Sequence, residues 1–385
     1  MQNKYILAST VWEFTLDCNL NCIHCGSSAG RKRGDELTTA EAESLCHGLK
    51  KAGCLGITVM GGEPLLRKDF WHIASLIREL GMDLTVITNG TVYDRETFSK
   101  LKLLNPRTVA VSLDAATPEL HDQIRDRKGA FEKTCDFMNI ALKEGLPVSV
   151  ITTVHKMNLK ELTAIRELLL GRNIAWQVQI AGSEGRRFPK ELLLDEEDFY
   201  SVGMFIAATR KEYSLRQMPV IGAHDLGFNS MMLNNITLAS EWTGCQAGIS
   251  VLGIQSNGNV KGCLSMEDST MEGNVRDTDI CEIWNSETAF SYSRKFKTAD
   301  AGENCAHCDH IDKCKGGCNE MSLMKTGRLH NDPYCFNAIE KRLFSEELKN
   351  PLTRMRLSMK RRLNAITAER GKKRFSDMFI GQRGQ

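Results

Sequence analysis

No apolar run in the 385 residues reaches about eighteen, the length a helix needs to cross a bilayer, so no membrane span is expected. Residues 1–8 carry no long apolar stretch and lead straight into the first motif, which argues against a secretory leader. An excess of one charge is also missing. The 50 Lys and Arg against 48 Asp and Glu leave +2, too little for a generally nucleic-acid-binding surface, and no nucleic-acid partner is expected. There is no low-complexity tract and no internal repeat beyond a βα unit. With 42 % hydrophobic and 25 % charged residues, the composition is that of an ordinary soluble globular protein. The length points to one large domain plus a smaller one.

What the chain has in excess is cysteine, 14 in all. A disulfide framework belongs to small secreted domains, and this chain is neither small nor visibly secreted. Cys46, Cys54, Cys135 and Cys281 stand apart and read as buried small hydrophobes or helix-surface thiols. The other ten fall into two spaced groups and read as metal ligands in a reducing cytoplasm. The first group, Cys18-x3-Cys22-x2-Cys25, offers three thiolates to one small centre. A four-iron cluster with only three protein ligands leaves one iron open, which is a catalytic arrangement. Zinc is the competing reading. It calls for a fourth local Cys or His at finger spacing, and His24, inside the loop, is a poor fourth ligand.

From residue 10 to about 181, short β-branched runs alternate with amphipathic segments. Val11–Thr15, Ile57–Met60, Leu84–Thr88, Val109–Leu113, Val148–Val154 and Ile174–Ile180 read as strands. Thr39–Ala52, Asp69–Leu80, Arg95–Leu104, Ala130–Glu144 and Leu159–Leu170 read as helices, with Asp195–Tyr213 a further one. Thr38 or Thr39 is placed to cap the first, and Gly81, Gly145 and Gly171 to end three others. Six βα pairs imply parallel strands with right-handed crossovers, fewer than the eight that close a full barrel. The expected fold class is therefore α/β: a partial (βα)6 TIM-like barrel with its ligand site at the C-terminal strand ends, then a cysteine-rich domain. The expected boundaries are a barrel over 1–213, a bridge over 214–243, a cysteine-rich domain over 244–345 and a Lys/Arg-rich tail over 346–385. The tail reads as a solvated helix.

Several strand ends carry further motifs. Gly61-Gly62-Glu63-Pro64 ends the second strand; two glycines let the main chain approach a ligand, and a carboxylate answers an ammonium. Thr88-Asn89-Gly90 ends the third, Ser112-Leu113-Asp114 the fourth, and Thr152-Thr153 lies in the fifth. The second cysteine group runs Cys245-x12-Gly258-x4-Cys263, then Cys305-x2-Cys308-x5-Cys314-x3-Cys318, then Cys335. A zinc ribbon would account for 305–318 but leave Cys245, Cys263 and Cys335 without a role.

In this order the motifs resemble the radical S-adenosylmethionine (SAM) superfamily with a C-terminal SPASM extension, over residues 10 to about 340. The resemblance implies SAM and three 4Fe–4S clusters as cofactors. Cys18, Cys22 and Cys25 would hold the SAM-binding cluster. Cys305, Cys308, Cys314 and Cys335 would hold the distal auxiliary cluster, and Cys245, Cys263 and Cys318 the nearer one. Some relatives add a fourth cysteine where this chain has Ala239. The nearer cluster then has an open iron or a non-cysteine ligand. SAM contacts are implied for Gly61, Gly62, Glu63, Pro64, Thr88, Asn89, Ser112, Asp114 and Thr153, with His24 near adenine. The enzymes resembled cleave SAM to a 5′-deoxyadenosyl radical that abstracts hydrogen from a substrate, drawing electrons from a flavodoxin or ferredoxin-type donor.

Most SPASM enzymes modify peptides, so a peptide-maturing enzyme is the leading expectation. Sulfatase-maturing relatives carry an aspartate where this chain has Leu264. Only residues 1–17 precede the first cysteine, so a peptide would bind the barrel directly or come on a separate recognition protein. The alternative is a tetrapyrrole-modifying enzyme, with Arg186, Arg187 and the basic tail binding propionates. A small-molecule dehydrogenase and a non-catalytic iron–sulfur or zinc scaffold are further readings. His224, Asp225 and Arg186 are the catalytic candidates, although His224-Asp225 also reads as a hydrogen-bonded turn.

Overall fold

Strands that alternate bulky apolar residues with small or polar ones can sort the two kinds onto opposite faces. The structure, a computed structural model describing residues 5–182, 187–223, 226, 229–233, 236–237 and 242–343, uses that alternation to build a curved sheet. Strands β1 (Ser9–Thr15), β2 (Gly56–Gly61), β3 (Asp83–Thr88), β4 (Thr108–Ser112), β5 (Val148–Val154) and β6 (Ala175–Ile180) lie parallel and side by side in chain order. On β5, Val148, Val150 and Val154 join the apolar core, whereas Ser149, Ile151 and Thr153 line the lumen. The lumen keeps room for a ligand because its wall is built of small side chains.

Helices α1 (Thr39–Lys51), α2 (Phe70–Glu79), α3 (Arg95–Leu104), α4 (Pro118–Arg125), α5 (Ala130–Lys143), α6 (Leu162–Leu169) and α7 (Glu196–Glu212) follow the strands. Trp12 and Phe14 of β1 meet edge-to-face at 4.9 Å, and Phe14 meets Phe70 of α2 at 6.0 Å. Burying each such ring contributes about 1.5–3 kcal/mol. Thr38 caps α1 in a reciprocal capping box with Glu41. Gly81, Gly145 and Gly171 all have the positive φ expected of residues that end helices. Cys46 and Cys54 are buried in the core, and Cys135 and Cys281 are half-buried.

The sheet exceeds the six expected strands. β7 (Val220–Gly222), from the stretch read as a bridge, pairs parallel with β6. β8 (Val251–Ile254), from the stretch assigned to the cysteine-rich domain, pairs parallel with β1 from Ser9↔Val251 to Trp12↔Ile254. β9 (Asn259–Lys261) and β10 (Gly273–Asn274) extend it antiparallel, and Gly258, at φ +89°, makes the β8–β9 turn. The order β10-β9-β8-β1-β2-β3-β4-β5-β6-β7 leaves both ends unjoined among the described residues, so the barrel is partial. Helix α4 was not expected. Its buried face is His121, Ile124 and Arg125, too polar to give an apolar periodicity.

Short helices α8 (Ile280–Asn285), α9 (Ser291–Arg294), α10 (Ile311–Cys314), α11 (Asn319–Thr326) and α12 (Phe336–Leu343) carry the remaining cysteine-rich chain. It folds back on the barrel. Phe336 of α12 stacks on Phe199 of α7 at 4.6 Å, and the Tyr334 hydroxyl donates to the Leu194 carbonyl at 2.7 Å. Among the described residues no helix is long and apolar enough to cross a membrane.

Candidate functional site

The loop after β1 carries Cys18, Cys22 and Cys25, and backbone bonds pin it to the end of α4: Asn21 N–H to Arg125 O at 3.4 Å and Ile23 N–H to Ile124 O at 3.0 Å. Leu20 N–H faces Cys18 Sγ at 3.4 Å, Ala29 N–H faces Cys25 Sγ at 3.3 Å, and Arg125 Nη1 lies 3.6 Å from Cys22 Sγ. Burial pushes the Cys18 thiol up to about 12 and the Cys22 thiol up as well, although Arg125 works against it at Cys22. Three crowded thiols would be costly as bare thiolates. A cationic metal core reverses that cost, so the donor set fits an iron cluster.

Gly61 and Gly62 are required by contact with this loop. A Cβ on Gly61 would lie 2.3 Å from the Thr15 carbonyl oxygen, and one on Gly62 2.1 Å from that of Asp17. Their turn is bonded there, Gly62 N–H to Thr15 O and Glu63 N–H to Asp17 O, both at 2.7 Å. Both glycines line the lumen. Glu63 lies behind them, 0 % exposed, accepting from Thr88 Oγ1 at 2.9 Å, Asn89 N–H at 2.8 Å and Leu65 N–H at 3.2 Å. Burial outweighs these bonds and lifts its carboxyl to about 7. Pro64 is buried beside it in a short 3-10 turn.

Asp114 is likewise 0 % exposed. Its Oδ2 sits 2.7 Å from Arg125 Nη2 and 3.4 Å from His24 Nε2, and its Oδ1 accepts from Thr153 N–H at 3.0 Å. Burial alone would raise its pKa, but the Arg125 charge and then His24 hold it below the usual range. The His24 ring is neutral, since burial drives its pKa down to about 3. Thr88, Asn89, Ser112, Thr153 and His24 all line the lumen with the three cysteines, around a cavity of about 2910 Å³.

The second cysteine group forms two sets. Cys305, Cys308, Cys314 and Cys335 border a cavity of about 180 Å³. Burial raises the Cys305 thiol to about 11, that of Cys314 to about 12, and that of Cys335 as well. A pocket framed by four thiols fits a fully ligated cluster. The other set is Cys245, Cys263 and Cys318, and Cys263 opens onto the large cavity. The two sets meet at Gly316–Cys318. There a Cβ on Gly316 would lie 2.4 Å from the His330 carbonyl oxygen, and buried Asp332 accepts from Cys318 N–H at 2.8 Å.

His224, Asp225, Arg186 and Ala239, together with the basic tail, lie outside the described residues. Arg187 braces the first cysteine loop, with Nη2 donating to Ala29 O at 2.8 Å and Nη1 to Asn21 Oδ1. Sequence reasoning missed Arg125, Glu320 and Asp332. An arginine four residues after His121 in a Pro118-started helix, an acidic residue two after Cys318 and another three before Cys335 were the available signals.

Known proteins match two stretches of the chain. The radical SAM superfamily matches residues 12–169, and the SPASM iron–sulfur cluster-binding domain matches residues 245–309. The Fe-coproporphyrin III synthase of Methanosarcina barkeri is 30 % identical over 359 residues, covering 85 % of this chain and 87 % of that protein. The mycofactocin maturase MftC of Mycobacterium tuberculosis is 25 % identical, covering 92 % and 89 %. In fold, the chain is similar to Streptococcus suis SuiB bound to its precursor peptide SuiA. The TM-score is 0.70 and the identity 18 %, covering 86 % of this chain and 76 % of that one.

Proposed function

The chain belongs to the radical SAM superfamily as an enzyme with a SPASM domain, and on that premise we propose that it abstracts a hydrogen atom from a peptide substrate. In this reading Cys18, Cys22 and Cys25 hold the SAM-binding cluster. Cys305, Cys308, Cys314 and Cys335 hold the distal auxiliary cluster, and Cys245, Cys263 and Cys318 the nearer one. When bound, the first cluster and SAM supply a 5′-deoxyadenosyl radical, given one electron from a flavodoxin or ferredoxin-type donor. The chain's own residues bind and orient. Gly61 and Gly62 present bare backbone to the SAM amino group, and Thr88, Asn89, Ser112 and Thr153 offer polar groups to its ribose and carboxylate. The neutral His24 ring packs near adenine. Glu63, Pro64 and Asp114 act from behind the wall, Glu63 fixing the Thr88–Asn89 turn and Asp114 holding Arg125 and His24. The domain boundaries proposed above go with this reading, as do a cytoplasmic location and delivery by a separate recognition protein.

The observation that carries a peptide over a polyanionic substrate is that four of the cations bordering the cavity are engaged within the protein, while Arg31, Arg107 and Arg127 border it as exposed side chains. Arg33 pairs with Glu13 at 3.1 Å, Arg125 with Asp114, Lys261 with Asp268 at 3.2 Å, and Arg187 is bonded to the cysteine loop. Meanwhile β5 and β6 present neutral hydrogen-bonding groups, with Gln179 Nε2 donating to Thr153 Oγ1 at 3.0 Å. Such a wall suits amides better than several carboxylates. A tetrapyrrole substrate is the second reading, favoured by the resemblance to Fe-coproporphyrin III synthase. Reconstituted enzyme offered deuterated peptides and deuterated iron–coproporphyrin distinguishes them. Deuterium is expected in 5′-deoxyadenosine from a peptide, and transfer from the porphyrin alone overturns the assignment.

A further inference from the structure

We infer that the half of the barrel lumen nearest the N-terminal strand ends is a second subsite. It takes the extended backbone of a peptide substrate beyond the reacting residue and lets it leave through the floor of the barrel. This rests on the reading above that the substrate is a peptide. One cavity joins the three cysteines at the C-terminal strand ends to Ser9, Asp83, Thr108 and Ala175, the first residues of β1, β3, β4 and β6. Among the described residues the passage therefore runs from one end of the barrel to the other.

Closed barrels of parallel strands fill this space with layers of Val, Ile and Leu. Here the layers are mostly small. Thr58, Thr85 and Thr108 stand in register on β2, β3 and β4, and Ala110, Ser149 and Ala175 on β4, β5 and β6. All six line the cavity. Val11 and Ile87, the next members of the two rows, add one bulky side chain to each. One branched residue per row does not plug the barrel.

Two properties of the passage select an extended peptide. The first is size. Strands of 5 to 7 residues, at about 3.3 Å per residue, make it about 17–23 Å long, the reach of an equal number of extended residues. The second is chemistry. The six small residues are uncharged, and Arg107, exposed at this rim, pairs with Asp83 at 3.4 Å. Higher up, Gln177 Nε2 donates to Gln179 Oε1 at 3.3 Å, and Gln179 Nε2 to Thr153 Oγ1 at 3.0 Å. These bonds fix two amides on the lumen face of β6, two residues apart. That spacing is the repeat at which an extended chain presents groups on one side. Fixed neutral amides and hydroxyls suit peptide N–H and C=O groups.

The test uses the full-length chain, anaerobically reconstituted with SAM bound, and a pool of uncharged dodecapeptides bearing a diazirine near one end. Photocrosslinks are mapped by mass spectrometry. Adducts are expected on Ser9, Thr108 and Ala175 at the floor. Ala110→Trp, whose ring crosses the passage, should abolish them while SAM still binds with the parent affinity. Thr85→Trp should do the same from a neighbouring strand. Adducts confined to the C-terminal strand ends of the unsubstituted protein overturn the subsite, whatever the variants do. So do floor adducts that persist in both variants. If no peptide crosslinks anywhere in the lumen while iron–coproporphyrin binds there, the peptide reading itself fails and the subsite falls with it.

Discussion

Arg125 and Asp114 set the character of the site at the level of single residues. Both are buried, 2.7 Å apart, and the arginine also stands 3.6 Å from Cys22 Sγ. Removing one partner of a buried pair strands the other charge, at a cost of about 3–5 kcal/mol. Arg125→Met should therefore lower stability by that amount, read by urea unfolding of the metal-free protein. Asp114→Asn in the same chain should recover part of the loss, because the amide oxygen can still accept from Thr153 N–H. A single variant within about 0.5 kcal/mol of the parent would show that the pair bears no weight. The cysteines announced themselves by spacing, but this pair could not. An aspartate at a strand end and an arginine eleven residues later carry no periodic signal, and only the α4 crossover brings them together.

Elements are joined across the two halves of the chain by one exposed cluster on α1. Glu41 closes the capping box with Thr38 and also takes Arg276, from the turn after β10, through Nε at 2.6 Å and Nη2 at 3.1 Å. Hydrogen bonds from Arg276 and then Thr38 hold the Glu41 carboxyl down at about 2, against an ordinary 4.5. The native state thus binds this proton less readily than the unfolded chain. The contribution is complete above pH 4.5 and is lost as pH falls through about 2. The pair is largely solvated, so Glu41→Gln should cost only about 0.5–1 kcal/mol at neutral pH. Comparing parent and variant melting at pH 7 and pH 3 checks the sign, since the gap should narrow at the lower pH. The cap itself was legible, because Thr38 and Glu41 stand at capping-box spacing before an amphipathic run. Its partner was not, because Arg276 is 235 residues away. The strands divide in the same way: the six longer ones show β-branched runs, while β7 and β8, of three and four residues, are too short for a pattern to emerge.

Across the whole molecule, the sheet of the partial barrel continues past residue 213. β8 covers one edge of β1, and β7 covers the outer edge of β6. Phe336 and Tyr334 lock onto α7 and the Leu194 carbonyl from the far end of the chain. A fragment of residues 1–213 would expose the edge of β1, where Trp12 and Phe14 anchor the core, and also bare Phe199 of α7. Unpaired apolar strand edges aggregate, so the fragment should not yield a stable folded monomer. The complete chain, with its sheet continuous through the boundary, should instead lose its barrel and its cysteine-rich part in one transition. Amide exchange on both forms decides this. Protection at Trp12 and Phe14 in the complete chain, absent in the fragment, is the expected outcome. A soluble fragment with those amides fully protected would mean that the barrel folds alone and the second half is an addition to it. The cysteine pattern spoke for two parts because metal ligands cluster by spacing. Strand pairing crosses that division because β1 needs a neighbour on each side, and the chain supplies one of them from residues 251–254.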